Sequence, residues 1–169
     1  QLYAGTNSNA GELGHIRLGD YGPVGYGKSG SFEGFCSGGG IAQLARLMVM
    51  EKFQLGETVN WCTRDQINEI TAQQVAEAAF QGDELAQKIY QISATYLGKG
   101  LAIVIDMLNP DMIVIGSIYT RANQLMEKYV REVLEKEALS QAYAVCQIKP
   151  AVLEENIGDY AALSVATIK

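Results

Sequence analysis

From Ile41 onward the apolar positions fall into long registers, whereas the segment before it carries glycine instead. Ile41, Leu44, Ala45, Leu47, Met48 and Phe53 recur at helical spacing and predict a helix buried on that side, with Gly56 as its stop. Thr63 and Asp65 suit the cap of a short turn over 66–70, and Thr71 predicts a helix to Gln81 with Val75, Ala78 and Ala79 inward. Asp83 then caps a long helix to about Leu108, with Leu85, Ile89, Ile92, Tyr96 and Leu97 inward. Gly98 and Gly100 weaken that helix by roughly 1 kcal/mol each relative to alanine. Close packing or a ligand is therefore expected beside them.

Asn109-Pro110 ends this helix, and Met112-Ile113-Val114-Ile115 is the unbroken apolar run of a central parallel strand. A helix over about Arg121–Glu137, a strand over Val145–Ile148 and a helix over about Asp159–Thr167 complete the order. That alternation predicts an α/β fold in three layers, a mixed sheet with helices on both faces.

The front is different in kind. Gln1–Tyr3 reads as the tail of a hairpin, His15-Ile16-Arg17-Leu18 alternates as a half-buried strand does, and Gly19–Gly30 reads as a loop. Between Asn9 and Ile41 glycine is dense enough to let backbone approach a ligand closely, and the only histidine of the chain, His15, sits there three residues after Glu12. The chemistry is expected at this end.

Composition narrows the class. At 169 residues one domain is expected, and 48% hydrophobic with 19% charged residues is globular rather than disordered. A formal charge of -6 argues against phosphate-backbone binding by this segment. No apolar run reaches the ~18–20 residues of a membrane span. Cys36, Cys62 and Cys146 are odd in number and widely spaced, so they suit neither a disulfide framework nor a metal clip and point to a reducing cytoplasm. Gln1 in place of Met, with the chain opening in an apparent strand, suggests a piece of a longer protein.

Two short motifs lack their context. Gly22–Ser29 matches G-x-x-x-x-G-K-S, but a phosphate loop must leave a buried strand and put Lys and Ser in the first turn of a long helix. Here Gly30 follows at once. Gly25–Gly30 matches G-x-G-x-x-G without a βαβ unit around it. Asp106, after an apolar run, continues a helix instead of closing a strand. Glu12 and His15 carry more. A carboxylate accepts two hydroxyl hydrogen bonds side by side, and an imidazole nearby serves an adjacent hydroxyl, which together suit a polyol. Taken alone, the bland alternatives are a solvated Glu–His pair, a helix-start acid at Glu33 and a small buried hydrophobe at Cys36.

Ala10-Gly11-Glu12-Leu13-Gly14-His15 resembles the A-G-E-x-G-H signature of the ROK family of repressors, open reading frames and sugar kinases. Asp20-Tyr21-Gly22-Pro23, then Gly27, Gly30 and Glu33, then Ser37-Gly38 through Ile41, resemble the segments that come after it there. Leu108-Asn109-Pro110-Asp111 with Ile113–Gly116 is similar to the family's L-N-P segment, and Ile157–Ala162 to its terminal glycine–alanine segment. The resemblance implies that residues 1–169 form the carboxyl-terminal lobe of an actin-like, ribonuclease-H-type sugar kinase, without the amino-terminal lobe. It implies that Glu12, His15 and Glu33 bind the hydroxyls of a hexose or amino sugar. Gly116 and Ser117 would lie near ATP, whose γ-phosphoryl group passes in line to a sugar hydroxyl with Mg²⁺.

The resemblance breaks at two places. The three zinc cysteines of the family align with Val24, Tyr26 and Ser31, so no structural zinc is expected, and packing of Tyr26 and Phe32 with glycine turns should hold the loop. The second glycine after the L-N-P strand is Ser117. The family's phosphate loop, catalytic aspartate and G-T-G-x-G strand would precede Gln1, so this segment alone is expected to be inactive. Another chain segment, a partner copy or a swapped strand should fill the sheet, and a homodimer is in keeping with the family. The competing class is the sugar-sensing domain of a ROK-type transcriptional regulator; a third is a dimerisation module with a vestigial site.

Overall fold

A computed structural model describes residues 3–152 and 157–167. The helical registers fold much as their spacing predicts. Ser37 caps α2 (Gly38–Gln54), its hydroxyl accepting from the Gly40 amide at 3.0 Å. Ile41, Ala45, Val49 and Phe53 are buried along α2, but Leu47 is exposed: its position falls outside the stripe that faces the other helices. Gly56, at φ +79°, turns the chain beyond the helix end. Thr63 and Gln66 cap a tight turn over Arg64–Glu69 reciprocally. Thr71 caps α3 (Ala72–Phe80), and Asp83 caps α4 (Glu84–Leu108) through the Ala86 amide at 2.8 Å.

α4 is the central strut. It packs against α3, α2, a short helix α1 (Phe32–Cys36) and α5 (Ile118–Glu137). Its two interior glycines are explained by those contacts. A Cβ on Gly98 would come within 2.7 Å of the Val133 side chain on α5, and one on Gly100 would overlap the Phe32 ring. Packing, rather than a ligand, accounts for both. The Tyr90 hydroxyl, fully buried on α4, donates to the Ala72 carbonyl at 2.9 Å, and burial pushes its pKa up to about 12. Asp106 accepts from the Leu139 amide at 2.9 Å, so it links helix ends.

Asn109, in the left-handed region at φ +44°, ends α4 and turns the chain into β3 (Met112–Ile115). β3 pairs in parallel with β4 (Gln147–Pro150), Met112 opposite Gln147 through Ile115 opposite Pro150. The predicted strand at Val145 is displaced: Ser140–Val145 forms a helix, α6, and the strand begins at Gln147, where pairing with β3 sets the register. α5 starts at Ile118 rather than Arg121, but its first turn is set off by non-helical backbone at Ala122. Ile113, Ile115 and Ile148 pack on the helical core, while Met112 and Val114 are 45% and 59% exposed. β3 is thus parallel as expected but, among the described residues, covered on one face only. The last helix, α7, runs Ile157–Thr167.

At the front, His15–Leu18 is not a strand. Leu13–His15 is a single 3-10 turn, and only Arg17 makes a bridge, to Ser31. Four alternating residues are too few to impose a ladder without a partner strand. The loop expected over Gly19–Gly30 instead contains a tight hairpin, β1 (Val24–Gly25) and β2 (Lys28–Ser29). Gln1 and Leu2 of the expected hairpin tail lie outside the described residues, and Tyr3 is exposed and in no strand. Among the described residues no helix is long and apolar enough to cross a membrane.

Candidate functional site

The hairpin is closed by Tyr26 and Gly27, both at positive φ (+51° and +68°), the backbone that suits a two-residue hairpin turn. Val24 pairs with Ser29 and Gly25 with Lys28. This returns Lys28 to His15, at the end of its 3-10 turn. The Lys28 ammonium donates to His15 Nδ1 at 3.0 Å and to the His15 carbonyl at 2.7 Å. The Tyr26 ring meets the imidazole edge-on, centroids 6.3 Å apart at 81°. Glu12 and His15, with Asn9, Ile16, Tyr26 and Lys28, line an open depression of about 620 Å³.

Glu33 sits on the first turn of α1, as the helix-start reading has it, yet its carboxylate is turned toward the same region. Its Oε2 lies 3.0 Å from where a Cβ on Gly14 would be, so a side chain at position 14 would press the Glu33 carboxylate aside by a few tenths of an ångström. Gly14 and Glu33 line a second cleft, of about 360 Å³, together with Gly116 and Ser117. Phe32, Leu97, Ile115, Tyr119 and Met126 are among its apolar walls. The five predicted site residues therefore fall into two depressions, Glu12 and His15 in one, Glu33, Gly116 and Ser117 in the other, with the chain neighbours His15 and Gly14 each lining one of them.

At the strand end, Ser117 holds φ +54° and ψ -123°, backbone that strongly favours glycine. Strain of this type costs about 1–3 kcal/mol and gathers at ligand sites. Cys36 lines the same cleft, and burial, with the charge of Glu33 adding, pushes its thiol well up from the usual range. A thiol held protonated in this way is a poor nucleophile.

The positions where the family carries zinc cysteines are otherwise employed. Val24 exchanges backbone hydrogen bonds with the Gln43 side chain, both at 3.0 Å. Tyr26 packs on His15. Ser31 is fully buried, donating to the Gly25 carbonyl and accepting from the Gly34 amide, each at 3.1 Å. A valine, a tyrosine and a capped serine hydroxyl do not fit tetrahedral zinc. No cluster of three potential metal ligands occurs among the described residues. Lys28 and Ser29 of the phosphate-loop look-alike are strand residues, and the Ser29 hydroxyl donates to the Gly22 carbonyl at 3.0 Å. The role of Lys28 is hidden in the sequence because its motif points to phosphate; the available sign is the Tyr26-Gly27 turn, which folds it back.

The ROK family model matches residues 1–167. The chain belongs to the ROK family. A glucokinase of Halalkalibacterium halodurans is 31% identical over 156 residues, spanning 91% of this chain and 46% of the relative. The Escherichia coli repressor Mlc is 30% identical over 139 residues, spanning 82% of the chain and 32% of the relative. Among solved structures, a ROK glucokinase from Streptomyces griseus in complex with glucose and AMPPNP superposes with a TM-score of 0.79 at 23% identity. That match covers 98% of this chain and 54% of the other. A ROK transcriptional regulator homologous to E. coli Mlc gives 0.69 at 28%, covering 88% and 36%. The fold is therefore the α/β, actin-like fold of ROK sugar kinases, and the chain spans about a third to a half of the curated relatives it matches.

Proposed function

We propose that this chain is the carboxyl-terminal lobe of a cytoplasmic, ATP-dependent ROK sugar kinase. The observation that carries the reading is the cleft that Glu33 lines together with Gly116 and Ser117. Glu12 and Glu33 accept hydrogen bonds from sugar hydroxyls, and His15 serves a neighbouring one. The Ser117 turn, at the carboxyl end of a parallel strand, faces the nucleotide. ATP would bring Mg²⁺, and phosphoryl transfer would rest on positioning and electrostatics. The catalytic base would come from the amino-terminal lobe, so the chain alone transfers no phosphoryl group. A further strand, from that lobe, another segment or a second copy in a homodimer, would pair with the open edge of the β3–β4 sheet.

The alternative is the sugar-sensing domain of a ROK regulator, supported equally by the relatives, since Mlc and the N-acetylglucosamine repressor of E. coli align over 82% of the chain. The net charge of -6 argues against DNA binding by this segment, so DNA binding would belong to other residues. The test is sugar-dependent ADP release by the intact gene product across hexoses and N-acetylhexosamines, beside Glu12→Ala. Turnover on one sugar, lost at least tenfold in the variant, is expected for the kinase. Sugar binding without turnover establishes the regulator. Absence of both rejects the sugar reading.

A further inference from the structure

The zinc that the family places beside this histidine does not fit the residues present, yet His15 is held. We infer that the Lys28 ammonium takes over the positioning role of the metal, fixing His15 as the neutral Nε2–H tautomer and thereby making the ring a hydrogen-bond donor to sugar. The inference rests on the sugar-binding reading above for its ligand, but not for its chemistry.

A lysine ammonium has three donors and no acceptor. Its 3.0 Å contact with Nδ1 therefore requires a bare lone pair on that nitrogen, which leaves the ring proton on Nε2. The second bond, 2.7 Å to the His15 carbonyl, ties the same ammonium to the backbone of the same residue. One cation thus grips ring and main chain together, as a metal with an outer partner does for a ligating imidazole. The Tyr26 edge restrains the ring from another side. The hairpin is what delivers this cation: with two residues between β1 and β2, Lys28 pairs opposite Gly25 and reaches back thirteen positions to His15. The other two cysteine positions complete the substitution, Val24 clipped to Gln43 on α2 and Ser31 buried between Gly25 and Gly34. The outcome for recognition is a matched set around one depression: Glu12 accepts only, while His15 donates only. Vicinal hydroxyls, each able to donate and accept, answer both.

The test uses imidazole ¹⁵N NMR on the intact gene product, the His15 signals assigned by their loss in His15→Gln, together with titration of glucose and N-acetylglucosamine. The wild-type ring should show an unprotonated Nδ1 and a protonated Nε2. In Lys28→Met, which keeps the apolar stem, the two nitrogen shifts should converge as the tautomers mix, and affinity for whichever sugar binds should fall tenfold or more. Lys28→Arg should restore the ring pattern and most of the affinity. A wild-type ring protonated on Nδ1, a pattern unchanged by Lys28→Met, or one stoichiometric zinc bound at His15 would overturn the inference. If neither sugar binds the wild type, the functional reading fails for these sugars, while the ring spectrum still decides the role of Lys28.

Discussion

Between Val24 and Ser37 the chain satisfies its own polar groups: Ser31 caps α1 and grips β1, Ser37 caps α2, and Gln43 closes on Val24. The β3–β4 sheet does the reverse. Two parallel strands lean on the helical core through Ile113, Ile115 and Ile148, and turn Met112 and Val114 to solvent. Parallel sheets are ordinarily covered on both faces, because their crossovers bring helices to each side. The front region is finished by neighbours in sequence. Among the described residues the outer face of the sheet stays exposed at Met112 and Val114. The candidate cleft is built where the two meet, with Glu33 from the finished region and Ser117 from the end of the unfinished one.

Three substitutions test that contrast, the largest expected effect coming first. Gly40→Ala places a methyl group into the Gly34 carbonyl at the α1–α2 junction, where only backbone can yield. A loss of about 3 kcal/mol is expected in urea unfolding; a loss below about 0.5 kcal/mol would mean that the front region is looser than its contacts imply. Ser31→Ala removes a cap and strands the Gly25 carbonyl without its hydroxyl donor. It should lower stability by about 1–2 kcal/mol. Its sharper consequence is local: amide exchange should quicken at Gly34 and through the hairpin while the α4–α5 core stays protected. Val114→Lys has the smallest effect. In the 169-residue chain it should change stability by less than about 0.5 kcal/mol, as exposed sites do. In a longer gene product whose further segments bury that face, the same substitution should cost more than about 2 kcal/mol. Equal effects in both would erase the distinction between the regions.

Most helices were legible from contiguous residues because their causes are local. Ser37, Thr71 and Asp83 each cap the helix that starts at the next residue, and Val75, Ala78 and Ala79 share a face simply by spacing. Leu47 had the right spacing for the buried side but lies outside the contacted stripe. Val145 likewise had strand-like neighbours, but parallel pairing with β3 begins only at Gln147. Both misplacements concern surfaces supplied by distant residues. The glycines of α4 announced a close approach, though not to which groups; Val133 and Phe32 answer that only after α1 and α5 have packed.

For the site, sequence by itself determined the residue types: a carboxylate at Glu12, the sole imidazole at His15, a second carboxylate at Glu33 and a serine at 117 after Gly116. Order along the chain sufficed for the family as well. Only the tertiary structure decided that Glu33 lies against Gly14, that Ser117 shares a cleft with Glu33, and that Lys28 holds His15. The reason is one of range. Caps and periodicity depend on bonds made within a few residues, whereas a tautomer or a shared cleft depends on which distant groups the fold carries into hydrogen-bonding distance.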